Sequence, residues 1–138
     1  MFKRTLGFVL FTAYLLILFR ITVFRDGFYT HGLFSGNIVW IPFQTVFGYL
    51  NTGHPQLFYY LFFGNIVWFV PFGAYLYLRG FPAWKAIVLS AALSVLIETL
   101  QFVFGSGTSE TEDVILNTAG GAAGCAFVSV FRRIKRIK

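Results

Sequence analysis

QLFYYLFFGNIVWFVPFGAYLYL, from Gln56 to Leu78, contains no charged side chain. An α-helix rises about 1.5 Å per residue, so about 20 residues cross a hydrocarbon core about 30 Å thick. This stretch is long enough to cross and too apolar to leave in water, which predicts a membrane-spanning helix. Three more runs pass the same test: Thr5 to Phe24, broken only by Arg20; Ala86 to Phe104, broken only by Glu98; and Val114 to Phe131, uncharged. The spans at about 5–24, 56–78, 86–104 and 114–131 leave little of residues 1–138 outside the membrane, so one all-α integral membrane domain, a four-helix bundle, is expected.

Composition agrees. Of 138 residues, 57% are apolar and only 12% charged, and nineteen are phenylalanine. A water-soluble domain carries about 25% charge, so a disordered tail, a collagen and a multidomain enzyme are excluded. Thr5 to Phe24 follows Lys3 and Arg4 as a signal peptide does, yet it is too long for that role and lacks a small-x-small cleavage pattern; it is expected to stay as an anchor. The lone Cys125 sits in an apolar stretch as a small hydrophobe.

Lys and Arg near span ends stay in the cytoplasm. Lys3, Arg4, Arg79, Lys85, Arg132, Arg133, Lys135, Arg136 and Lys138 fall on one side, against Arg25 alone on the other. Both termini are therefore expected inside. The net charge of +6 raises nucleic acid as a partner, but a basic run directly after a last span is a topogenic signal and lipid anchor, so none is expected. The outer side receives the connection 25–55 and the shorter 105–113, whose Glu110, Glu112 and Asp113 make an acidic rim. Within the first connection, Asn37 to Leu50 is too apolar for a solvated loop and too short to span, which predicts an interfacial or re-entrant segment. Its opening Gly36-Asn37-Ile38-Val39-Trp40 recurs as Gly64 to Trp68 inside the second span, and Pro42-Phe43 and Pro71-Phe72 follow the two copies.

Polar groups inside the spans are the candidate site. An ionised residue at a helix centre costs about 2.5–3.5 kcal/mol on insertion, so each needs a partner or a cavity. Counting residues from the outer ends puts Arg20 and Asn117 about 6 Å deep, Glu98 about 9 Å and Asn65 about 13 Å. Ala91, Ser94, Glu98, Gln101 and Gly105 form one stripe, and Asp113, Asn117, Gly120, Gly121 and Gly124 another; these two stripes are expected to face each other. Thr12, Leu16 and Arg20 align on the first helix, predicting that Arg20 turns inward to pair with Glu98. The expected polar cluster is thus Arg20, Asn65, Glu98, Gln101, Asp113 and Asn117, with Pro71, Gly120, Gly121 and Gly124 structural. Either the cluster only ties helices together, or it lines a pocket for a polar head group.

Little here speaks for catalysis. Glu98 and Asp113 offer two carboxylates, but there is no Ser-His-Asp arrangement, phosphate loop or zinc spacing, and His31 and His54 stand apart. No metal and no cofactor are expected.

Glu98-Thr99-Leu100-Gln101, followed by Glu112-Asp113-Val114-Ile115-Leu116-Asn117-Thr118-Ala119-Gly120-Gly121, resembles the E-x-x-Q and D-V-I-L-N-T-x-G-G signature of VanZ-like proteins. NIVWFVPF, residues 65–72, is similar to that family's N-x-x-x-F-x-P-F helix, and NIVWIPF to its earlier N-x-x-P-F. The matching positions are Asn65, Pro71, Glu98, Gln101, Asp113, Asn117, Gly120 and Gly121. Many relatives carry an Arg between the Gln and the acidic residue; here that interval is Gly105-Ser106-Gly107-Thr108-Ser109-Glu110-Thr111, so no anion-binding Arg carries over. The resemblance implies a bacterial cell-membrane protein associated with low-level teicoplanin resistance. Combined with the cluster, it suggests binding of a membrane lipid or lipid-linked envelope molecule. The alternatives are an enzyme acting on a lipid-linked envelope precursor and a small assembly factor, with a homo-oligomer or another membrane protein as partner.

Overall fold

The computed structural model describes residues 2–24 and 32–137. Arg25, His31, Lys138 and the side chains of Lys3 and Arg136 lie outside the described residues. The elements in order are α1 (Phe2–Thr22), β1 (Asn37–Val39), α2 (Gln44–Asn51), α3 (Pro55–Leu78), α4 (Ala83–Phe104), β2 (Thr108–Glu110) and α5 (Thr111–Ile137). Four of the five helices, α1, α3, α4 and α5, are long and apolar enough to cross a membrane. The all-α expectation holds. The apolar connection before α3 divides into β1, paired with β2, and the short α2.

Local chemistry explains where the long helices stop. Pro55 opens α3, a position where its missing N–H is no loss. Gly80, at φ 96°, ends it: the Gly80 N–H donates to the Tyr77 carbonyl at 3.2 Å and the Phe81 N–H to Leu76 at 3.1 Å. These two bonds satisfy carbonyls that a helix C-terminus otherwise leaves open. Gly105, at φ 60°, ends α4 the same way, with Gly105 N–H on Phe102 at 3.3 Å and Ser106 N–H on Gln101 at 3.1 Å.

One boundary departs from expectation. A charge-free run puts the last span at Val114, whereas α5 starts at Thr111 and takes Glu112 and Asp113 into its first turn. Carboxylates are favoured there by the helix dipole, so charge does not stop the helix.

The chain forms two compact units, Met1–Ile38 with Ile97–Ser109, and Val39–Leu96 with Glu110–Lys138. In the first, α1 buries Leu18 and half-buries Phe11, Tyr14, Leu15 and Thr22. Phe34 and Gly36 send their N–H groups to Val103 and Phe102, two carbonyls in the last turn of α4, at 2.8 and 3.1 Å.

The second unit is built on α3 and α5. A Cβ at Gly120 would meet the Ile66 carbonyl, one at Gly124 the Val70 carbonyl, and one at Gly73 the backbone of Gly121. Farther along, the Arg132 guanidinium reaches the Leu78 carbonyl at 3.4 Å. Residue numbers rise together on both helices, so α3 and α5 are parallel. On α4 the order reverses: Ser94 meets Asn117 and Ser90 meets Gly121, which makes α4 antiparallel to α5.

This corrects the expected facing of the last helix. Successive helix residues turn by about 100°, and the single stripe resolves into two. Asn117 and Gly121 face α4, while Asp113, Gly120 and Gly124 face α3. Outside these seams Phe8, Leu16, Tyr60, Trp84 and Phe127 are all mostly exposed. So much exposed apolar surface suits acyl chains and not water.

Candidate functional site

In the first unit the hydrophilic groups gather at the end of α4. Glu98 is only 8% exposed, and its backbone carbonyl accepts the Ser109 hydroxyl at 2.6 Å. One turn on, the Gln101 amide Nε2 donates to the Thr22 carbonyl at 3.3 Å, but Gln101 Oε1 is buried and has no hydrogen-bond partner among the described residues. Ser106 Oγ is in the same condition. Buried polar atoms are rarely left so.

Arg20 belongs to this unit and is exposed, donating to the Phe24 carbonyl one turn on. The stripe Thr12, Leu16, Arg20 that sequence assigns to the protein side is the exposed side of α1. The inward face is Phe11, Tyr14, Leu15, Leu18 and Thr22, a three-and-four spacing that reading from the polar residues overlooks.

In the second unit a different set forms where α5 begins. Glu112 is 1% exposed, and its Oε1 accepts the Val46 N–H from α2 at 3.0 Å. Its Oε2 has no partner among the described residues. Next to it, Asp113 Oδ1 accepts the Asn65 amide from α3 at 2.6 Å. Glu110 completes a trio in which one oxygen per carboxylate lies within 4.8 Å of the others. Burial first, then the charge of Asp113, a hydrogen bond with the Glu112 side chain and the charge of Glu112, push the Glu110 carboxyl up to about 7, against an opposing pull from a Thr45 hydrogen bond. Three carboxylates at this spacing make an oxygen-only donor set suited to a hard cation.

The predicted residues therefore fall into two sets. Glu98 and Gln101 lie in the first unit, and Asn65, Asp113 and Asn117 in the second. Asn117, 5% exposed, donates to Ser94 Oγ at 2.8 Å and joins α5 to α4. Pro71 is exposed within α3 and cannot donate to the carbonyl of Val67. His54 precedes α3 and is exposed.

Sequence reading missed Glu112. It counts the residue as acidic rim, although three carboxylates in four positions, beginning an apolar helix, already signal charges that need an answer.

A family model described as VanZ/LLP1 matches residues 11–132, nearly the whole chain. The chain belongs to the VanZ/LLP1 family. Among curated proteins it is similar to Protein VanZ of Enterococcus faecium, 41% identical over 64 residues. That stretch is 44% of this chain and 38% of the relative, so the match spans well under half of the other protein. No solved structure matches. Within this VanZ-family chain, the matched residues 11–132 include both hydrophilic sets.

Proposed function

We propose that this VanZ-family protein is a multi-pass protein of the bacterial cell membrane that binds the polar head of a lipid or lipid-linked envelope molecule through hydrophilic groups near the outer ends of its spans. In doing so it lowers susceptibility to teicoplanin-type glycopeptides. One observation carries the reading. Groups that merely tie helices together use up their hydrogen-bonding capacity, whereas Gln101 Oε1 and Ser106 Oγ, in the same unit as buried Glu98, hold capacity in reserve. A head group rich in hydroxyls or amides would meet them with the donors and acceptors they lack. Family membership supports the antibiotic connection, through the resistance association for which the family is named.

The test is expression in a glycopeptide-susceptible bacterium. The wild-type chain raises the inhibitory concentration of teicoplanin, and Glu98→Ala or Gln101→Ala removes the effect while the protein accumulates in the membrane at the wild-type level. Loss of protein together with resistance would instead make these residues packing elements. A wild-type chain that changes nothing would defeat the proposal.

A further inference from the structure

We propose that Glu110, Glu112 and Asp113 form a binding site for a hard divalent cation, Ca2+ in preference to Mg2+. The site lies within the second unit and is independent of what the first unit binds.

The three carboxylate oxygens lie within 4.8 Å of one another, close enough to share one ion. Ca2+ accepts carboxylate oxygens in flexible geometry, whereas Mg2+ keeps several of its waters. Around a carboxylate that is 1% exposed there is little room for them. The donors are all oxygen, which disfavours zinc and copper, ions that draw on imidazole and thiolate.

The second observation does not depend on the clustering of charge. Glu112 Oε2 is buried with no hydrogen-bond donor outside the trio, in a side chain whose other oxygen is held by the Val46 N–H at 3.0 Å. A polar oxygen removed from water with only other carboxyls to meet it is costly. Two further carboxylates beside it raise that cost, and a divalent cation removes both difficulties at once. Supporting contacts are also in place: Val46 fixes Glu112, and Asn65 fixes Asp113 at 2.6 Å, as partners of metal ligands commonly do.

The full-length protein in lipid nanodiscs, stripped with EDTA, is melted with increasing CaCl2, MgCl2, or KCl at matched ionic strength. Ca2+ is expected to raise the midpoint saturably, at about 10−4–10−3 M as in extracellular calcium modules, and Mg2+ to need higher concentrations. Glu112→Gln abolishes the response, and its cation-free midpoint equals or exceeds that of the wild type, because one repelling charge is gone. Asn65→Ala weakens Ca2+ affinity by about 10–100-fold. Equilibrium dialysis of wild-type protein against radioactive Ca2+ gives a readout free of any folding defect, with stoichiometric binding expected. Absence of bound Ca2+, an equal effect from KCl or MgCl2, or a Ca2+ response retained in both Glu112→Gln and Glu110→Gln would overturn the proposal.

Discussion

The Asn117 amide donates to Ser94 Oγ in a buried seam between α5 and α4. Interhelical hydrogen bonds of this type average about 0.6 kcal/mol in membranes, because unfolded spans also find partners. A double-mutant cycle with Asn117→Ala and Ser94→Ala, followed by unfolding in mixed micelles, is therefore expected to return a coupling of about 0.6 kcal/mol. A coupling several times larger would mean that Asn117 has a partner beyond Ser94. The burial of Asn117 and Glu98 was legible in sequence, since each interrupts an apolar run and must be sheltered from lipid. Glu112 was only partly so: three carboxylates in four positions signal charges that need an answer, but not that the Val46 N–H, 66 residues earlier in the chain, meets this one. The exposure of Arg20 was not legible: Thr12, Leu16 and Arg20 line the exposed side of α1, from which the guanidinium donates to the Phe24 carbonyl, as long cationic side chains near a helix end can.

Among elements, the α3–α5 seam depends on backbone meeting backbone. Gly73 and Gly64 sit on the same helix, yet a Cβ at Gly73 would collide with Gly121, while one at Gly64 would meet nothing. Gly73→Ala should force the two helices apart and lower the thermal midpoint. Gly64→Ala should leave it unchanged or raise it, since alanine is favoured over glycine in a helix by about 0.8–1 kcal/mol. Equal effects from the two substitutions, read by thermal melting in nanodiscs, would contradict the close approach. The glycine spacing was visible in sequence, but the neighbour it selects was not: two glycines four apart specify a smooth stripe without saying which helix covers it. The repeated Gly-Asn-Ile-Val-Trp shows the same limit. Its first copy runs through strand β1 and its second through helix α3, so the surrounding span, and not the five residues, decides the conformation.

For the molecule as a whole, charge and apolar surface tell one story. Near the C-terminal ends of the parallel α3 and α5, Arg132 lies 5.3 Å over the Tyr77 ring and Lys135 4.7 Å over Phe131. Such cations hold aromatic rings while keeping their charge toward the interface. The carboxylate trio belongs to the opposite, starting end of α5. The basic and acidic groups therefore occupy opposite ends of α5. The four helices long and apolar enough to cross a membrane followed from length and apolarity alone. The division of hydrophilic groups into two units did not, since depth along a helix says nothing about which neighbours share it.

The central claim is that sheltered polar groups in this chain serve a bound molecule as well as the fold. It is tested most directly by native mass spectrometry of protein extracted with the lipids of a glycopeptide-susceptible bacterium. Wild-type chains are expected to carry a discrete adduct of lipid-linked mass, which Gln101→Ala loses while melting like the wild type. An identical adduct pattern in both proteins, or no discrete adduct in either, would contradict the account.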